Sequence, residues 1–332
     1  MIWLTLRQFR AQALAALGAM ALLALYLVHL GGEIRNFYNT RIIGCTGHAC
    51  LVARMDLRSL YDDKVQLLGV VLIAVPALIG IFWGAPLVTR ELEDRTDRLV
   101  WNQSITRTRW LVVKLGLIGL ATALVTGLFS LLLTWSASRY DEVVGERFAA
   151  VFFDARNIVP IGYGLFAFVL GTVVGMVARR TLPAMTITLA AFAALQLLIP
   201  TAVRQNLMPA VTATVTIDAA VLDRGVGLSL DTDDTFTIRG YNVPGGWEQT
   251  DSARIRKPDG TPFTGEDASP CVALGPDQEA GNACIAAQRL HFTHTYQPGS
   301  RYWAFQWIEL SLYLALSLML AGFGFLRFRA RR

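Results

Sequence analysis

Val65–Thr89 runs for 25 residues without a charge. A helix needs about 20 apolar residues to cross a hydrocarbon layer of about 30 Å. Four more stretches are also uncharged: Ala11–Gly32, Leu115–Ser138, Asn157–Ala178 and Thr181–Val203. A sixth, Leu310–Leu326, is extended by Tyr302–Gln306. Composition agrees: of 332 residues, 54% are hydrophobic and 17% charged, which fits a multi-span membrane protein better than a soluble domain. The expected fold is an all-α polytopic membrane protein with six transmembrane helices. Pro76 predicts a kink in the second span. A secretory signal also begins with a basic flank and an apolar core, but that core is only about 7–15 residues long. The first stretch is longer and reads as a retained span. Met1–Gln12, with Arg7 and Arg10, is either a short amphipathic helix at the interface or a charged flank.

Lys and Arg concentrate on the cytoplasmic side of membrane proteins. With the N-terminus placed inside, the inner segments hold 14 basic and 4 acidic residues, while the rest of the chain holds 16 basic and 21 acidic. An N-in/C-in arrangement follows. Aromatic residues mark the boundaries, with Trp83 and Trp110 inside and Trp135, Tyr140, Tyr302, Trp303 and Trp307 outside. The expected organisation is a cytoplasmic segment at 1–12, helices one to five over 13–200, an extracytoplasmic domain at 201–301, helix six at 302–326 and a basic tail at 327–332. The net charge of +5 does not indicate nucleic acid, because the basic residues sit beside the spans.

Residues 33–64 and 139–156 read as polar outer loops. In the long outer segment, Val211–Ile217, Thr235–Gly240 and Leu290–Tyr296 alternate in character between Gly/Pro turns, which predicts a β-rich domain between helices five and six. The four cysteines fall outside the membrane as Cys45/Cys50 and Cys271/Cys284, where disulfides persist. Local pairing is the simplest of three connectivities. Zinc is the competing explanation, but neither pair has C-x-x-C spacing, and no metal site is expected.

The inner loop at 87–114 carries seven charges between Arg90 and Arg98. Each would cost about 2.5–3.5 kcal/mol at mid-bilayer, so the loop lies in water. Glu91/Arg95 and Asp94/Arg98 are i,i+4 pairs with the acid first, which suits a short helix. Leu92 and Leu99 share one face of it. The loop is either a solvated segment that sets topology or a helix that docks a cytoplasmic partner.

Its wording resembles the loop between the second and third spans of ABC-2 type permeases, actinobacterial ones included. There an E-x-E-x-G-T segment is followed by leucines, a Ser, an Arg and a Lys. Here the order is Glu91, Glu93, Arg95, Thr96, Leu99, Ser104, Arg107 and Lys114. Arg95 replaces the usual glycine, so a continuous helix is expected in place of a tight turn. Tyr296–Glu309 is similar to the stretch leading into the last span of actinobacterial ABC permeases. The resemblance implies a bacterial plasma-membrane exporter subunit working as a homodimer or heterodimer, each copy docked on a separate cytoplasmic ABC ATPase. Arg90, Glu91, Glu93, Thr96, Leu99 and Arg107 would contact that ATPase. The substrate would be a hydrophobic small molecule or antibiotic.

The G-x-x-x-x-G-K-[ST] pattern is absent from the sequence. No cofactor is therefore expected on this chain, and ATP and Mg belong to the partner. No recognisable set of acids, bases or nucleophiles points to an enzyme. His291 and His294 face opposite sides of a strand, and Asp231, Asp233 and Asp234 read as a solvated turn. Gly171 and Gly175 form a G-x-x-x-G that permits close helix packing, within the chain or between copies. Gln196 and Glu309 are the intramembrane polar candidates. Gln196 either faces a cavity or bonds a neighbouring helix; Glu309 is either functional or reaches back to the interface. A different class of function stays open: a membrane-anchored receptor or assembly protein working through 201–301.

Overall fold

The computed structural model describes residues 2–46, 48–93, 107–222, 226–243, 245–273 and 278–330. It divides into two compact units. The first comprises Met1–Val144, Ala149–Leu207 and Trp303–Arg332 and contains, among the described residues, six helices long and apolar enough to cross a membrane. The first helix is Ile2–Phe37. The second, His48–Ile79, contains Pro76 and continues through a π turn at Gly80–Gly84 into Pro86–Glu93. The third is Arg107–Ser136 and the fourth Val159–Ala178. The fifth, Thr181–Leu198, runs on through a π turn at Ile199–Val203 and a 3-10 turn at Arg204–Asn206. The sixth is Tyr302–Ala330. Leucines such as Leu22, Leu67, Leu182 and Leu318 point outward and are 64–77% exposed, which fits helices that cross a membrane.

The fourth helix is the most enclosed, and glycines explain how the second approaches it. A Cβ at Gly80 would lie 2.7 Å from the Ala167 carbonyl oxygen, and one at Gly175 would lie 2.7 Å from that of Ala85. At Gly171 a Cβ would strike the Gly80 carbonyl. The G-x-x-x-G face is thus spent on packing within the chain. Thr172 adds a hydrogen bond to the Gly84 carbonyl at 3.4 Å.

The polar stretches beside the spans are not loose loops. Residues 48–64 extend the second helix, because Leu57, Tyr61, Val65, Leu68 and Leu72 recur at spacings of three and four and form one buried stripe. That stripe packs with Leu27, Leu30 and Ile34 of the first helix and Phe129 and Leu133 of the third. Residues 138–154 form two short helices, Ser138–Val144 and Ala150–Asp154. Tyr140 is not an interface residue: it is fully buried and donates to Asp62. Trp83 is also interior, whereas Trp135, Trp303 and Trp307 are 44–58% exposed. The Arg35 guanidinium lies over the Trp135 ring, 3.7 Å from its centre, and donates to its carbonyl. Cys45 and Cys50 are joined as a disulfide, with Cα atoms 5.0 Å apart.

The second unit, Gly145–Phe148 with Met208–Tyr302, is built on an antiparallel sheet. Its strands are β1 Val211–Thr216, β2 Gly227–Leu230, β3 Phe236–Arg239, β4 Trp247–Glu248, β5 Ser252–Arg256 and β6 His291–Gln297. The order is β1-β6-β5-β3-β2, with β4 also paired to β6. All three stretches expected from alternation are strands. Ile217, Ile238, Ile255, Phe263, Leu290 and Phe292 form the core. Two helices, Gly265–Val272 and Gln278–Ala287, are linked by Cys271–Cys284, with Cα atoms 5.5 Å apart. The disulfide joins these two helices. His294 is buried and stacked on Tyr296, while His291 faces the other side and is half-buried. Asp231–Asp234 form the turn between β2 and β3, where Asp233 pairs with Arg254 at 2.9 Å.

Candidate functional site

Two sites in the first unit collect the polar residues singled out from sequence. At one, the helix Pro86–Glu93 ends against the start of the fifth helix. Its last residue, Glu93, accepts from the Thr181 backbone N–H at 2.8 Å and from the Thr181 hydroxyl at 2.7 Å. The first N–H groups of a helix have no partner within it, and a carboxylate there also meets the positive end of the helix dipole. Glu93 thus caps a helix from outside, and the Thr181 N–H holds its carboxyl below the usual range. Thr89, one turn earlier, meets the same Thr181 hydroxyl at 2.8 Å. The fourth helix stops just before this point because Arg179 takes a left-handed conformation, φ 55°.

Arg90 is exposed on the same short helix, and Arg107 opens the third. The side chains of Glu91 and Arg107 are not described, and Thr96 and Leu99 lie outside the described residues, as does the expected continuous helix around Arg95.

The other site is buried in the bundle. Glu309 and Tyr163 are fully enclosed, with Arg204 1% and Asp154 4% exposed. Arg204 donates from Nε to Glu309 Oε2 at 2.8 Å and from Nη2 to Glu309 Oε1 at 2.9 Å. The same Nη2 reaches Asp154 Oδ1. The Tyr163 hydroxyl lies 2.5 Å from Glu309 Oε1 and 3.1 Å from Asp154 Oδ1. Phe153 lies under the guanidinium, 4.2 Å from ring centre to Cζ. A buried pair is held only when such further bonds satisfy its remaining lone pairs and protons.

Each member is placed by its own element. Gln306, Glu309 and Tyr313 share one face of the sixth helix at i, i+3 and i+7. Gln306 accepts from the N–H groups of Ile158 and Val159, both at 3.3 Å, and donates to the Phe153 carbonyl at 3.2 Å. It thereby caps the fourth helix and fixes the turn that carries Asp154. Ser130 of the third helix donates to the Asn157 carbonyl at 2.7 Å. Tyr313 packs edge-on against Tyr163 at 4.6 Å and donates to Gln196 at 3.2 Å.

Glu309 therefore does not reach for the interface, and Gln196 bonds a neighbouring helix. The two candidates belong to one network bridged by Tyr163 and Tyr313. Asp154 and Arg204 do not stand out in the sequence, because both lie in segments that read as outer and polar. The signal that could have found them is the requirement that a buried Glu309 have a cation.

Compared with known proteins, the chain matches the model of one family, described as ABC-2 membrane transporter related, over residues 17–204, more than half its length. No curated protein and no solved structure matches it.

Proposed function

The chain belongs to the ABC-2 membrane transporter related family, and from that premise we propose that it is the membrane-spanning permease subunit of an ATP-driven exporter. It lies N-in/C-in in a bacterial plasma membrane as a dimer with a second permease subunit. A cytoplasmic ABC ATPase binds ATP and Mg and docks on the loop between the second and third helices. The charge distribution supports this orientation, since it puts 14 basic residues and only 4 acids inside.

The observation that carries the coupling is the Glu93–Thr181 cap. It ties the helix entering the charged loop to the first turn of the fifth helix. A displacement of Pro86–Glu93 is then passed to that helix. The turns that continue the fifth helix carry Arg204, so its far end is held to Asp154 and Glu309. Displacement of one helix is felt at both sites. The transported molecule in this proposal is a hydrophobic small molecule or antibiotic.

The test is co-purification of the tagged chain from its own host in mild detergent. A nucleotide-hydrolysing subunit accompanies the wild type and is lost from Glu91→Arg, in which the Glu93 cap stays intact. An ATPase retained by Glu91→Arg and by Glu91→Arg/Glu93→Arg would remove the loop from the docking site. Failure to recover any ATPase would favour a receptor working through the second unit.

A further inference from the structure

Two carboxylates and one guanidinium make an uneven set. Glu309 takes the matched share, because Arg204 meets its two oxygens with two separate nitrogens at 2.8 and 2.9 Å. That side-on fork is the strongest arrangement of an arginine and a carboxylate, and it marks Glu309 as the ionised partner. Asp154 is left with one bond from a nitrogen already shared.

The Tyr163 hydroxyl then sets a counting problem. Its oxygen lies 2.5 Å from Glu309 Oε1 and 3.1 Å from Asp154 Oδ1. A hydroxyl has one proton to give, and an ionised carboxylate has none. Only one of these contacts can be a bond donated by Tyr163. The other is a bond only if the carboxyl oxygen carries a proton and donates back.

We propose that the cluster is a proton-binding site, in which Asp154 carries one proton and donates it to Tyr163 while the Tyr163 hydroxyl donates to Glu309. The buried set then holds one guanidinium against one carboxylate, with no charge uncompensated. The site stands or falls independently of the exporter reading.

The surroundings agree. Tyr163 faces Asp154 from the fourth helix, Arg204 from the end of the fifth, and Glu309 and Tyr313 from the sixth. Arg156, two residues on, is committed to Asp141 at 3.1 and 3.2 Å, and Asp62 of the second helix accepts from Tyr140. Burial pushes the Asp154 carboxyl up to about 6 against the pull of Arg204, and the Glu309 charge adds to the rise. An exposed aspartate releases its proton near pH ~3.9. The closed cluster thus takes up a proton, and opening it to water releases one. Its stabilisation is fully present below the exposed value, falls as pH rises through about 6, and is constant above that.

The experiment is an infrared titration of the purified full chain in detergent, following the C=O stretch of protonated carboxylic acids. In the wild type an acid band disappears with a midpoint near pH 6. Asp154→Asn removes this band. Glu309→Gln removes it as well, because Asp154 is then the sole counter-charge for Arg204 and ionises. A band unchanged in Asp154→Asn, a band that persists in Glu309→Gln, or no acid band titrating near pH 6 in the wild type overturns the proposal.

Discussion

Arg204 is the cation on which two buried acids depend. Replacing it by Met leaves the ionised Glu309 without a counter-charge in the bundle interior. Removing one partner of a buried pair costs about 3–5 kcal/mol. Arg204→Met is therefore expected to lower the thermal midpoint in detergent strongly, while Asp154→Asn, which mimics the protonated acid, stays close to the wild type. Equal losses from both would show that charge balance does not hold this site. Much of it was legible in the sequence. An acid inside a span demands an explanation, and Glu309 was found that way; Gln306 and Tyr313 repeat its helical face. What composition could not supply was the partner. Arg204 follows the uncharged stretch by a single position, and Asp154 stands in a stretch that also holds Asp141, Glu142 and Glu146. Nothing in one dimension says which of these charges turns inward.

Elements show the same division between pattern and context. The six apolar stretches are legible because a continuous apolar run of about 20 residues matches a membrane-crossing helix and not a barrel strand. The helical extension at 48–64 is harder to see, because Arg54, Asp56, Arg58, Asp62, Asp63 and Lys64 mask the stripe of Leu57, Tyr61 and Val65. Spacing held the signal and composition hid it. Contacts between elements give two further expectations. Gly171→Ala forces a methyl group against the Gly80 carbonyl and the Ala85 N–H. Overpacking of this kind costs about 1–3 kcal/mol, readable as a lowered unfolding midpoint; an unchanged midpoint would mean that the second and fourth helices part easily. Glu93→Ala removes the external cap, so amide exchange in the first turn of the fifth helix rises. The wild-type carboxyl is held below its usual range by the Thr181 N–H, so the cap is present above the ordinary glutamate value and fails only as pH falls through the lowered one. Exchange in that turn should be flat from neutral pH down to the ordinary glutamate value, once the intrinsic pH dependence is removed.

At the scale of the whole molecule, a six-span bundle of the ABC-2 membrane transporter related family carries a separate antiparallel sheet unit between its last two spans. The sequence carries no G-x-x-x-x-G-K-[ST] pattern, and in the proposed function the work enters from another chain. The proposed point of entry is the loop between the second and third helices. The most direct measurement is site-specific photo-crosslinking in native membranes from a reactive analogue at Leu99. The expected product is an adduct with a nucleotide-binding ABC ATPase, lost with Glu91→Arg. An adduct confined to lipid, or to a protein on the opposite side of the membrane, would contradict it.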